Sequence, residues 1–298
     1  MKNFEFYYSY LEPVVIALGF FDSIHLGHKA IIDEVIKQAK SKGALSCVFT
    51  FDNDVGKVFG DNSGLVYSYC ERLKKLEKLG VESVVSTTFT KGFSLCAPQE
   101  FLELLTLNFN VYGIVCGNDY RYGKGGEGNV ESLEKFCKRR SINLTVIGEQ
   151  KKDGERISTT KIKRLLSEGE IEKANSLLGD SYFICGEVIK GRAVGREMGF
   201  PTANISIDES KAMLKLGVYK THVEIEGKKY NCITNYGGRP TFNLHEPLSE
   251  TYIHGFSGDL YGKNLTVYFD RFIREPVKFN NVDELRNQLT KDLEKIDD

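Results

Sequence analysis

The chain has no excess of either charge: 40 Lys and Arg stand against 41 Asp and Glu, a formal net charge of −1. A duplex-binding protein needs surplus positive charge to displace phosphate counterions, so no nucleic-acid partner is expected. Long apolar runs are missing too. The longest, residues 13–21, falls far short of the roughly 20 residues that a spanning helix requires, and no membrane partner is expected. The first ten residues have neither the apolar centre nor the small-residue cleavage site of a secretory signal. Cys47, Cys70, Cys96, Cys116, Cys137, Cys185 and Cys232 form no CxxC pair and join no Cys/His run. A disulfide framework or structural zinc site is therefore not expected. The thiols read as small core hydrophobes, and the cytoplasm is the expected location. GxxxxGK[ST] is absent, which disfavours a Walker-type ATPase. Proline is scarce, and there is no internal repeat or low-complexity tract.

What is present falls into two halves. A chain of 298 residues suffices for two domains at roughly 100–200 residues each. The first, residues 1–181, alternates strand-like and helical patterns. Apolar strands are expected at 13–21, 45–51, 81–86, 111–117 and 143–148, and helices at 28–40, 71–79, about 98–105 and about 130–140. In the second helix Leu73, Leu76 and Leu79 keep step. Such alternation predicts an α/β Rossmann-like domain, a parallel sheet with helices on both sides, whose ligands bind beyond the strand ends after Phe21, Phe51 and Gly117. The second half, residues 182–298, has short β runs separated by turn signals. It predicts a small antiparallel β-barrel followed by a helix on which Val282, Leu285, Leu289 and Leu293 line one side. Residues 166–180 read as the linker.

The sharpest local feature is His25-Leu26-Gly27-His28, between a buried strand and a helix. A helix N-terminus offers unsatisfied N–H groups and a positive dipole end to phosphate. Gly27, without a Cβ, allows close approach of a nucleotide. Two imidazoles can donate to a phosphate whose charge grows as pyrophosphate leaves, and such a transfer needs no covalent nucleophile. Histidines so placed can instead cap the helix or bind a metal.

This HxGH resembles that of the adenylyltransferase and cytidylyltransferase superfamily. Residues 157–163, Ile-Ser-Thr-Thr-Lys-Ile-Lys, resemble its ISSTxIR segment, and residues 117–128, GNDYRYGKGGEG, resemble the G-x-D-F-R-F-G loop of FMN adenylyltransferases. The resemblance implies that His25 and His28 are catalytic. It implies that Gly19, Phe21, Asp22, Gly27, Ser158, Thr159, Thr160 and Lys163 bind ATP, and that Asn118, Asp119, Arg121 and Gly123 form a flavin or nucleotide loop. The chain departs from the pattern at two single residues and one three-residue segment. Ser23 stands for a glycine, Lys163 for an arginine, and Asn53-Asp54-Val55 for the prolines and histidine of TFxPHP. Carboxylates there would repel phosphates unless a metal bridged them.

In the second half, GEVIKGRAVGREMGFPTANI (residues 186–205) resembles the GxVxxGxxxGRxxGxPTAN signature of riboflavin kinases over its full length. The resemblance implies ATP binding by Gly191, Gly195, Arg196, Gly199 and Pro201, and Mg²⁺ at Thr202 and Asn204; oxygen-only ligation suits that cation. NYGGRPTF (235–242) and the SET of 249–251, followed by GDLYGK (258–263), resemble later kinase segments. They imply Glu250 as general base, with Arg239 and Tyr261 on the flavin side, where Arg274 of FIREPVKF (272–279) matches a further basic residue. A ribityl hydroxyl is a poor nucleophile until a carboxylate accepts its proton. A glutamate in a β segment is otherwise most often a solvated edge charge. His222, His245 and His254 read as surface or hydrogen-bonded structural residues.

The pattern over nearly the whole chain is that of bacterial bifunctional riboflavin kinase/FMN adenylyltransferases. It implies riboflavin, FMN, FAD and ATP as the molecules handled. Two alternatives stand beside it. In one, only the kinase acts and the altered first domain is inactive or regulatory; in the other, the chain is a flavin- or nucleotide-binding regulator without turnover.

Overall fold

Alternate residues of a strand point to opposite faces, and the strand at the centre of the first sheet is apolar on both. The computed structural model describes residues 1–190, 200–238, 247–279 and 282–295. Its contacts divide the chain into two units, between Thr159 and Thr160.

In the first unit, β1 (Lys2–Glu5), β2 (Tyr10–Leu18), β3 (Leu45–Phe51), β4 (Ser83–Thr87), β5 (Phe109–Gly117) and β6 (Asn143–Ile147) form a wholly parallel sheet in the order β1-β4-β3-β2-β5-β6. Four helices cover it: α1 (Leu26–Lys42), α2 (Tyr69–Lys78), α3 (Pro98–Asn108) and α4 (Val130–Arg140). Val15 and Ala17 of β2 pack with Ile31, Ile32 and Val35 of α1 and Leu76 of α2. Val14, Ile16 and Leu18 pack on the other side with Phe101 and Leu105 of α3 and Leu133 and Phe136 of α4. This is the expected parallel sheet with helices on both faces. Burial of each such side chain stabilises by roughly 1.5–3 kcal/mol. A two-strand ladder, β7 (Lys151–Lys152) and β8 (Glu155–Arg156), follows β6.

Local signals set the helix ends. Gly43 closes α1 at φ 62°, Pro98 opens α3, and Asn129 caps α4 by accepting from the Ser132 N–H at 2.9 Å. The first apolar strand, expected to run to Phe21, stops at Leu18. Beyond it the chain turns through Phe21 (φ 53°) and Ile24 (φ 43°), a left-handed conformation that no strand accommodates.

In the second unit, α5 (Thr159–Glu168), which the division enters, and α6 (Ile171–Leu178) occupy most of the stretch expected as a linker. Asn175 of α6 donates to the Phe269 carbonyl (2.8 Å) and accepts from the Tyr182 N–H (2.7 Å), so α6 docks on the barrel. The barrel comprises β9 (Tyr182–Ile189), β10 (Thr202–Ser206), β11 (Gly217–Ile225), β12 (Lys228–Gly238), β13 (Pro247–Ile253) and β14 (Asn264–Arg274). It closes in the order β10-β13-β12-β11-β14-β9, every pair antiparallel. Tyr182, Tyr219, Tyr236 and Phe269 are fully buried. Among the buried polar side chains, the Thr221, Thr234 and Thr251 hydroxyls link at 2.7 and 2.9 Å, which satisfies them without water. The last helix, α7 (Val282–Glu294), carries the buried Asp292, which grips Arg274 at 2.7–3.2 Å; Leu293 packs with Val218 and Ile233.

Candidate active sites

β3 and β5 flank β2, so the loops that leave their carboxyl ends splay apart and leave a crevice. There a cavity of about 440 Å³ opens. Gly19 and Phe21 after β2, Phe51 at the end of β3 and Val55 beyond it, and Asp119, Arg121 and Gly123 after β5 all line it. Phe49, Phe89, Phe93, Tyr120 and Tyr122 make its walls predominantly aromatic. That volume suits a drug-sized or nucleotide-sized ligand. Gly123 sits at φ 71° with Pro98 only 2.6 Å from where a Cβ would stand, so no other residue fits there.

His25 and His28 meet at the mouth of α1. His25 is the N-cap: its Nδ1 accepts from the His28 N–H at 3.2 Å, and the rings stack at 3.8 Å, 3° from parallel. With Nδ1 accepting, the proton of a neutral His25 lies on Nε2. Gly27 serves this arrangement first, because a Cβ there would come within 3.0 Å of the His25 ring. His28 lines the cavity, and its buried Nδ1 has no partner among the described residues.

Both rings are held neutral. Burial lowers the pKa of His25 from 6.5 to about 4, and burial beside His25 and Lys75 lowers that of His28 well below 6.5. An unfolded histidine takes up its proton near pH 6.5, whereas the folded ones resist, so below that pH the unfolded state binds more protons and stability falls with pH. For His25 the loss runs from pH 6.5 down to about 4 and amounts to about 3 kcal/mol. Replacing His25 with Gln is expected to flatten the fall in unfolding temperature between pH 7 and 4.5; an unchanged slope would show that His25 titrates normally.

The other residues expected around ATP are partly engaged with the fold. One Asp22 carboxylate oxygen accepts from the Val66 and Tyr67 N–H groups at 2.8 and 3.4 Å. The Ser23 and Thr159 hydroxyls meet at 2.9 Å, which ties the loop after β2 to residues 158–159. Ser158 precedes α5, while Thr160 and Lys163 lie on it, within the second unit. Asn118 donates its N–H to the Ile147 carbonyl (3.0 Å), and Asp119 is ion-paired with Arg156.

The departure at residues 53–55 also has a structural account. Asn53 exchanges two hydrogen bonds with the backbone of Phe89, at 2.8 and 2.9 Å. Asp54 accepts from the Gly56 and Lys57 N–H groups at 2.9 and 3.4 Å, and Asp52 accepts from the Thr88 hydroxyl at 3.0 Å. Asp54 is thus taken up in its own loop, and Asp52 by the residue that follows β4. Sequence reasoning missed Arg72, a fully buried guanidinium near them. Burial lowers its pKa, whereas Asp22, Tyr69, Asp52 and Asp54 oppose that shift. The signal for it is weak, since a charge on a helix is ordinarily a solvated one. In α2 the buried face is Glu71, Arg72, Lys75 and Leu76, while Leu73 and Leu79 are only partly buried.

In the second unit the register brings three expected residues together. Asn204 on β10 lies opposite Glu250 on β13, and Thr202 opposite Tyr252. Directly paired residues share a face, as do residues two apart along a strand, so Thr202, Asn204 and Glu250 lie on one face. Asn235, also opposite Glu250, donates to its carboxylate at 3.5 Å. Asn204 is 4% exposed, and its Oδ1 has no hydrogen-bond partner among the described residues. A buried amide oxygen left over beside a hydroxyl and a carboxylate is a donor set for a hard cation. Pro201 is exposed just before β10, and Tyr261 is exposed in a turn whose N–H it gives to Asp259. The Arg274 guanidinium is occupied by Asp292. Gly191, Gly195, Arg196, Gly199 and Arg239 lie outside the described residues, as does His245. His222 is a hydrogen-bonded structural histidine, 2.8 Å from Asp270.

Residues 8–161 match the family model of FAD synthetase, and residues 178–298 that of riboflavin kinase. The bifunctional riboflavin kinase/FMN adenylyltransferase of Listeria monocytogenes is 38% identical over 93% of this chain and 90% of its own length. That of Bacillus subtilis is 33% identical over 93% and 90%. A crystal structure from Streptococcus pneumoniae, described as a macrolide-efflux protein, superposes with a TM-score of 0.86 at 29% identity, covering 99% of this chain and 98% of the other. Among the described residues of this chain, no helix is long and apolar enough to cross a membrane.

Proposed function

The chain belongs to the bifunctional riboflavin kinase/FMN adenylyltransferase family, and we propose that it carries out both steps, converting riboflavin and ATP to FMN and ADP and then FMN and ATP to FAD and pyrophosphate. What supports the second step most is the histidine-capped start of α1 beside an aromatic cavity of about 440 Å³. The isoalloxazine ring stacks in that cavity. An FMN phosphate oxygen attacks the α-phosphorus of ATP while the bond to pyrophosphate breaks. The neutral imidazoles of His25 and His28 donate hydrogen bonds to the growing charge, and the N-terminus of α1 adds its dipole. Ser158 and Thr159, the last residues of the first unit, hold the departing phosphates.

In the kinase step, Glu250 accepts the proton of the terminal ribityl hydroxyl as its oxygen bonds to the γ-phosphorus and ADP leaves. Thr202 and Asn204 would hold the Mg²⁺ ion, which when bound offsets phosphate charge. The partnerless Oδ1 of Asn204 suits that duty. Ser23, Lys163 and residues 53–55 are the departures that motivate a kinase-only reading; of these, Ser23, Asn53 and Asp54 are engaged by bonds within the first unit, which favours the two-step reading. The test is chromatography of a mixture of pure protein, riboflavin, ATP and Mg²⁺ over time. FMN should rise first and FAD follow. FMN without FAD would leave only the kinase, and unchanged riboflavin would remove the proposal.

A further inference from the structure

We propose that Arg72 is a positioning residue of the adenylyltransferase site, acting through the main-chain carbonyls of Phe20 and Phe51. The inference rests on the reading of that site given above. Arg72 is 0% exposed, and charges are almost never buried so completely without a structural duty. Its Nη1 donates to the Phe20 carbonyl at 3.1 Å and to the Thr50 hydroxyl at 2.7 Å, and its Nη2 to the Phe51 carbonyl at 2.7 Å. The Thr50 hydroxyl donates in turn to the same Phe20 carbonyl, at 2.6 Å. One guanidinium thus holds the loop leaving β2 against the end of β3, and its Cζ sits 5.0 Å from the Phe20 ring centre.

Those two carbonyls belong to residues that line the cavity. The Phe20 carbonyl also directly precedes Phe21 and the turn through Ile24, both at positive φ, a conformation that persists only when its surroundings over-determine it. A second grip comes from the same stretch of chain. Asp22 is fixed by the N–H groups of Val66 and Tyr67, just ahead of the Ser68–Glu71 capping box that opens α2. The strained loop is therefore held at residues 20 and 22 by segment 66–72, and His25 follows Ile24 directly, with His28 three residues further on. A lysine ammonium is a compact point charge without the planar fork, so it cannot reproduce the same three bonds.

The test uses the full-length protein carrying Arg72→Met or Arg72→Lys, assayed a fixed interval below each variant's own unfolding temperature. Arg72→Met is expected to raise the KM for FMN about tenfold in FAD formation, with Arg72→Lys intermediate, while the kinase constants stay within twofold of wild type. Amide exchange should quicken at residues 20–24 and 50–52 in Arg72→Met, with the rest of the first unit unchanged. A lower unfolding temperature with an unaltered FMN KM, or exchange quickened evenly across the unit, would overturn the proposal. Should the wild-type protein form no FAD, the functional reading fails. The exchange pattern then decides for or against the clamp on its own.

Discussion

Glu250→Ala is expected to lower FMN formation from riboflavin by roughly 10²–10⁴-fold, the range that a positioned proton acceptor supplies. The carboxylate stands on β13 opposite Asn204 and Asn235, with the Asn235 amide 3.5 Å away. Removing it leaves the strand pairing intact, because those bonds are made by the main chain, and Glu250 is only half-buried. ATP binding should survive, as should FAD formation from supplied FMN. Glu250→Gln, which keeps the shape but cannot accept the proton, should be almost as slow as the alanine variant. Rate measurements under saturating riboflavin and ATP check this. Near-wild-type turnover in either variant would remove Glu250 from the proton path.

The second large effect is expected in the other unit. His28→Ala should slow FAD formation from FMN by roughly 10²–10³-fold, the loss typical of one donor to developing charge. FMN formation should stay unchanged. The stacked pair makes the expectation asymmetric. His25 is the helix cap, so its replacement costs stability as well as rate, whereas His28 contributes its side chain to the cavity. Stopped assays for each half-reaction, run on the same preparation, separate the two activities. A parallel loss of the kinase would show that the variant had damaged the protein generally.

Much of the fold could be read from periodicity and helix punctuation. The span of α4, the glycine that ends α1 and the proline that opens α3 were all legible, because each rests on chemistry local to a few residues. β1 was not, since only Phe4 of its four residues is buried and an edge strand so short has no pattern to show. The two histidines were legible as a motif. What fixes them was not: Ser23 meets Thr159 across 136 residues, and Arg72 reaches carbonyls 52 and 21 residues away. Sequence spacing carries no trace of such bonds. Arg72 was hidden a second way, because the leucines of α2 pointed to an apolar stripe. Its buried face is instead centred on Arg72 and Lys75, whose charges are met by carbonyls, hydroxyls and rings. In the kinase half, Asn204 and Glu250 each belonged to a recognisable segment. That they stand directly opposite each other is a matter of strand register, which the separate segments leave open.

The ring of strands in the second unit returns to its starting member, β9 against β10. A sheet with free margins can recruit a stray strand from another polypeptide and so seed fibrous growth. A cylinder has no margin to extend, so a molecule that docks on this unit has to be recognised through side chains and loops. Misfolding by edge-to-edge stacking would first have to prise the staves apart.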